Sequence, residues 1–303
     1  GVDQVGLNVG AIHAIWTLHG LGQLDGRNDR ATKAVAAALA HQSAGVRRNA
    51  VQALPPTESS TRALLNAELW HDRDPQVRLA ALLGLSDLPA VADAGAALFS
   101  LLSSTDAADD PQLIDAAVSA AAKNSGAFLR AVVESGKRPP AETLEVVEIV
   151  ARHAGSRISP DNAAALFTTL SNASDDKVVS AVITGMASNR GSAQTLKISR
   201  ELGDAMDALF ARLDLASQGK LVLLARHWGT AQLESRAEEV VNAMLARLDD
   251  DGLDITARVA AADALAEFGS AEEAVATALL DRIIPQAPPA LPTGILRALA
   301  SSE

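Results

Sequence analysis

At 303 residues the chain has the length of two ordinary domains or of one repeat array grown along an axis. Hydrophobic residues make up 48% while aromatics are only 3%, with no Tyr; the excess of Ala, Leu and Val disfavours a sheet and predicts an all-α chain. A net charge of −11 opposes binding to nucleic-acid phosphates or anionic lipid, the absence of Cys excludes disulfides, thiolate chemistry and c-type haem attachment within these residues, and no window nears the roughly 18 apolar residues of a membrane span.

In chain order, residues 8–24 read as a single helix, opening on Val9, Ile12, Ile15 and Trp16. A solenoid end should carry a polar capping face, so this apolar start predicts a fragment of a longer protein. Helix pairs follow. First helices are predicted near 30–41, 58–70, 91–102, 126–134, 160–171, 200–213, 233–248 and 271–284. Second helices are predicted near 8–22, 45–54, 76–88, 111–123, 140–153, 176–187, 217–228, 254–268 and 292–301. Pro75, Pro111, Pro140 and Pro160 suit first-turn positions, and Asp74 and Ser159 suit N-caps. The spacer at 189–201 is longer than its peers and predicts a joint.

The ruler is a spacing of thirty-odd residues. Val46-Arg47 and Val77-Arg78 lie 31 apart, Pro75-Gln76 and Pro111-Gln112 lie 36 apart, and Asp109-Asp110 and Asp175-Asp176 lie 66 apart. Periods of this size mean stacked supersecondary units. The helix at 76–88 shows why: Val77, Ala80, Ala81, Gly84 and Leu88 form one stripe, while Leu79, Leu82, Leu83 and Leu85 make the other faces apolar. Such a helix must be covered on several sides. Small residues at Ala80, Ala81 and Gly84 let neighbours come close.

The segment Asp72-x-Asp74-Pro75-x-Val77-Arg78, followed by an Ala- and Leu-rich helix, resembles a HEAT repeat; residues 45–54 and 256–269 are weaker copies. The resemblance implies a right-handed α-solenoid of about nine helical hairpins over residues 1–303, a single domain. It also implies a ladder in which an Asp six residues before an Arg links successive units. Asp72 and Arg78 fit that spacing, whereas Arg47 has His41 and Arg258 has Gly252 in the acid's place. Residues 11–24 and 45–54 are further similar to the HEAT region of large multidomain bacterial proteins described as membrane-bound or haem-binding dehydrogenases. Those carry a sorbosone-dehydrogenase-like propeller upstream and a c-type cytochrome downstream. The similarity implies a periplasmic or secreted setting and places any redox chemistry in domains outside these residues.

No chemistry-bearing constellation stands out. The six His (13, 19, 41, 71, 153 and 227) include no pair at i+3 or i+4, as a metal site on a helix would need. His41, His153 and His227 fit helix ends. Paired acids at 109–110, 175–176, 238–239, 249–251 and 272–273 fall in corners or on exposed faces, and DDDGLD at 249–254 lacks a Ca²⁺-loop pattern. The Gly-rich HGLGQLDG at 19–26 ends a helix and follows no strand. Trp16, Trp70 and Trp228 are too scattered for a base-stacking platform and read as anchors between helices.

The remaining expectation is a surface. In HEAT arrays second helices line the concave face, which places Arg47, Arg48, Gln52, Lys123, Glu145, Glu148, Arg152 and Lys220 as candidates for contacting a partner. Their signs are mixed, which suits a protein or another domain of the same polypeptide better than a polyanion. The expected function is a non-catalytic scaffold with no cofactor, no nucleic acid and no membrane insertion. The rival is a HEAT-fold enzyme such as a bilin lyase or a DNA glycosylase, and the latter would need a basic groove.

Overall fold

A computed structural model describes residues 1–4, 6–104, 110–188, 195–269, 273–285 and 287–301. Every element among the described residues is helical: α1 (Val9–Gly20), α2 (Asp29–Ala37), α3 (Ala44–Ala53), α4 (Glu58–Ala67), α5 (Pro75–Asp87), α6 (Ala94–Leu102), α7 (Pro111–Lys123), α8 (Ser125–Glu134), α9 (Ala141–Gly155), α10 (Pro160–Ser171), α11 (Asp176–Ala187), α12 (Arg200–Arg212), α13 (Leu215–His227), α14 (Glu234–Asp249), α15 (Ile255–Phe268), α16 (Glu273–Leu280) and α17 (Ala290–Ser301). Short 3₁₀ turns, Ala38–Ala40 and Leu69–His71, extend α2 and follow α4. Among the described residues no helix is long and apolar enough to cross a membrane.

Side-chain caps set many of the starts. Asp74 accepts the N–H groups of Gln76 and Val77, with Pro75 in the first turn of α5, where its missing N–H leaves nothing unsatisfied. Asp110 and Pro111 do the same for α7, and Ser159 with Pro160 for α10. Asn8, Asn28, Thr57, Ser199, Asp214 and Asp254 cap six further helices. Pro140 differs from its expected first-turn place: its carbonyl accepts the first helical bond, from Leu144 N, so it stands one residue outside α9. Ahead of the 3₁₀ turn, α4 ends at Glu68, a non-glycine residue in the left-handed region with φ +46°. That kink ends the α-helix before Trp70, where the periodicity alone predicted it to run on.

The chain divides into two compact units, residues 1–154 with 173–181 and residues 155–172 with 182–303. In the first unit the second helices form a row, α1 on α3, α3 on α5 and α5 on α7, while first helices pair as α2 with α4 and α6 with α8. In the second, α10 packs on α12, α13 on α15 and α15 on α17, with α14 against both α13 and α15. Contact between alternate helices recurs in both units.

Small side chains make these approaches close. Ala116, Ala117, Ala120 and Ala121 of α7 are buried, as are Ala80 and Ala81 of α5. A Cβ on Gly84 would stand 2.8 Å from Val51 Cγ1 of α3, and one on Gly95 of α6 would stand 2.2 Å from the Ala127 carbonyl oxygen of α8. The cover that α5 needs is found on several sides but not on all. Leu82 and Leu85 are buried, but Leu83 is 45% exposed and Leu79 half-buried. Neighbours on either side and the hairpin's own first helix cover three flanks; the fourth faces outward.

Candidate functional site

The best-defined polar feature is a set of bonds joining units about 33 residues apart. The connection is made by very different groups. The Asn8 amide lies 3.3 Å from His41 Nε2, Trp16 Nε1 donates to Asn49 Oδ1, Val91 N to Asn124 Oδ1 and Thr168 Oγ1 to Glu201 Oε1, each 33 residues apart. Arg282 holds Asp249 through two bonds of 2.6 Å at the same separation, and Arg297 holds Asp263 at 34.

The buried centre of this system is Arg47 of α3 and Asp72, in the corner before α5. Arg47 Nε and Nη2 donate to the two carboxylate oxygens, both at 2.7 Å, and each side chain is 8% exposed. The remaining Arg47 Nη1 donates to the carbonyls of His41 and Gln42, and Asp72 Oδ1 also accepts Asp74 N. Burial pushes the Asp72 carboxyl up. The hydrogen bonds from Arg47 and Asp74 N, with the charges of Arg47 and Arg73, outweigh it and hold the group below its ordinary value.

The bond crosses from one helix pair to the next. Asp72 pairs with Arg47 and not with Arg78, whose Nε has no hydrogen-bond partner among the described residues. Here the arginine of one helix pair meets the acid of the next, and Arg78 takes no part in it. His41 does not remove Arg47 from the ladder, because its backbone carbonyl is enough at that place. Arg258 differs: it bonds Asp251 in its own corner at 2.6 Å and the Leu248 carbonyl, one residue from where the spacing put the acid.

The acid runs also have occupations. Asp249 answers Arg282, whose hydrogen bond is the main influence lowering its pKa, against a rise from burial; Asp254 caps α15. Asp175 is held by Arg138 across 37 residues, and that bond likewise leads in lowering its pKa. Among the described residues no cluster of three or more His, Asp or Glu is arranged to hold a metal ion. Trp228 and Trp70 are buried, Trp228 edge-on to Phe167, while Trp16 is half-covered and tied to α3.

The candidate surface residues separate into two groups. Arg48 and Gln52 on α3, Lys123 at the end of α7, and Glu145 and Arg152 on α9 are exposed. Arg47 is buried in its ion pair, and Lys220 of α13 is mostly covered and paired with Glu267 of α15. Glu148 is half-buried and engaged. Charge and helical position alone do not distinguish a side chain reaching for solvent from one holding a neighbouring helix. Apolar members of the same faces were missed: Leu83 of α5, and Ile149 of α9, which shares a helical face with Glu145 and Arg152 and is 46% exposed. The i, i+4 pair Leu79 and Leu83 was the available signal. The expected joint at 189–201 falls partly on residues 189–194, outside the described residues; Leu196 N beyond it bonds the Trp228 carbonyl.

No protein-family model matches the chain, and no curated protein matches it in sequence.

Proposed function

We propose that the chain is an α-solenoid of about nine HEAT-like hairpins that serves as a non-catalytic docking scaffold, for a protein partner or for other domains of its own polypeptide, within a larger redox protein. One observation supports this reading above others: in the row α1–α3–α5–α7, one flank each of α3, α5 and α7 stays uncovered. That flank reads Arg48 and Gln52 on α3, Leu79 and Leu83 on α5, and Asp115, Ser119 and Lys123 on α7. An apolar spot amid charges of both signs suits a protein surface, where buried apolar contacts supply affinity and the charges select orientation. The redox setting rests on the sequence resemblance alone.

Capture from the source organism's extract by the wild-type chain is compared with capture by Leu83→Asp and by Arg48→Glu. The scaffold reading expects one protein whose recovery falls at least tenfold with Leu83→Asp and severalfold with Arg48→Glu, while both variants keep the wild-type helical signal. Recovery unchanged by both substitutions would refute a role for this flank.

A further inference from the structure

A second surface, between first helices, has a more specific chemistry. Among the described residues the broad side-by-side contact of α6 with α8 and of α10 with α12 is not matched by α14 and α16. Between them lies a groove of about 500 Å³. Its floor is Leu265 and Phe268 of α15, and its walls are Val241 and Leu245 of α14 and Val275 and Ala278 of α16. At one end the Arg226 guanidinium lies 5.1 Å over the Phe268 ring and pairs with Glu234 at 3.1 Å. Arg226 is thereby already matched by an acid.

The rim is acidic along α14, and a further carboxylate stands next to the lining on α16. Glu238 stands one turn after Glu234 on α14, and Glu273 opens α16 beside Ala274; both are exposed, and neither has a basic partner within ion-pair distance among the described residues. An anionic ligand such as a fatty acid would meet these carboxylates. A cationic one is attracted by them. The volume is about three times the ~150 Å³ that accepts a benzene-sized group, enough for a few aliphatic side chains but not for a helix backbone. Side chains spaced along one helical face, flanked by Lys or Arg, meet both conditions.

We propose that the α14–α16 groove seats the apolar face of a basic amphipathic helix from a partner protein, with its Lys or Arg side chains meeting Glu238 and Glu273. The groove lies between first helices and does not depend on the second-helix row being a docking face.

The probe is a dye-labelled 15-residue peptide of Leu and Lys, with Leu at i, i+3, i+4 and i+7. Its controls are a scrambled peptide of the same composition and a Leu/Glu version, all titrated against the full chain by fluorescence anisotropy. The patterned Lys peptide is expected to bind at least tenfold tighter than either control. Leu245→Glu should weaken it at least tenfold, and Glu238→Lys at least threefold with a shallower salt dependence. Ala278→Leu, which fills the groove without changing charge, should weaken it severalfold with an unchanged melting curve. Equal binding of the scrambled peptide would overturn the proposal by reducing it to general charge attraction. So would wild-type affinity in Ala278→Leu and Leu245→Glu. A concentration-dependent dimer abolished by Leu245→Glu would also overturn it, by assigning the groove to a second copy of the chain.

Discussion

Arg47 and Asp72 form a two-pronged ion pair with both partners buried, so removing one partner differs greatly from removing both. Asp72→Ala leaves a buried guanidinium facing only carbonyls and should destabilise the chain by about 3–5 kcal/mol. Replacing both, as Arg47→Met with Asp72→Leu, removes the desolvated charges together and should come within about 1–2 kcal/mol of wild type. The pH dependence has a fixed sign. Because the folded-state pKa of Asp72 is depressed, the pair's contribution is complete above the unfolded value near 3.9 and fades as pH falls through the lower folded value. Urea unfolding at several pH values should therefore show the gap between wild type and Asp72→Ala constant above about pH 5 and narrowing below about pH 4. A gap that persists unchanged to pH 2.5 would mean that the carboxylate is not what stabilises this corner. Alone, the sequence pointed to Asp72 but set Arg47 aside because His41 stands six residues before it, since a spacing within one hairpin does not show which neighbour the side chain reaches.

Helix positions were the most legible part of the chain, because Asp-Pro and Ser-Pro corners fix a start through both a cap and a preset φ. Where the signal was only apolar periodicity, as past Glu68, the helix end was misplaced, since a single left-handed residue leaves no mark in hydrophobic spacing. The outward face of α5 was not legible for a related reason: an all-apolar helix implies cover but does not say which flank stays open. Close approach is testable between elements. Gly95 of α6 touches the backbone of α8, whose carbonyl and amide atoms cannot rotate away as a side chain would. Gly95→Ala should destabilise by about 1–3 kcal/mol through overpacking. Gly126, in the first turn of α8, has open space where its Cβ would go, so Gly126→Ala should stabilise by about 0.5–1 kcal/mol through lost freedom of the unfolded chain. Opposite signs for the same substitution, read from denaturant midpoints at equal slope, are the expected result. Stabilisation of similar size at both sites would show that helix propensity and not proximity governs them.

If the helices stack as the proposed file of hairpins, each touching mainly the next, there is a consequence for the molecule's cooperativity. Stability then approximates a sum of local terms and neighbour interfaces, so damage spreads over a few helices before it fades. The α6–α8 contact lies within the first compact unit and the Asp249–Arg282 ion pair within the second, which provides two separate places to apply damage. Hydrogen exchange measured by mass spectrometry should report Gly95→Ala as faster exchange in peptides from α5 to α8, with α13 to α17 near wild-type rates. Asp249→Ala should do the reverse, speeding α14 to α16 and leaving α2 to α5 unchanged. The partly exposed Asp249–Arg282 pair should produce the smaller effect, since solvent screens it more than the buried Arg47–Asp72 pair. If either substitution raises exchange evenly from α1 to α17, the chain unfolds as one cooperative body, and nearest-neighbour stacking is the wrong account of its stability.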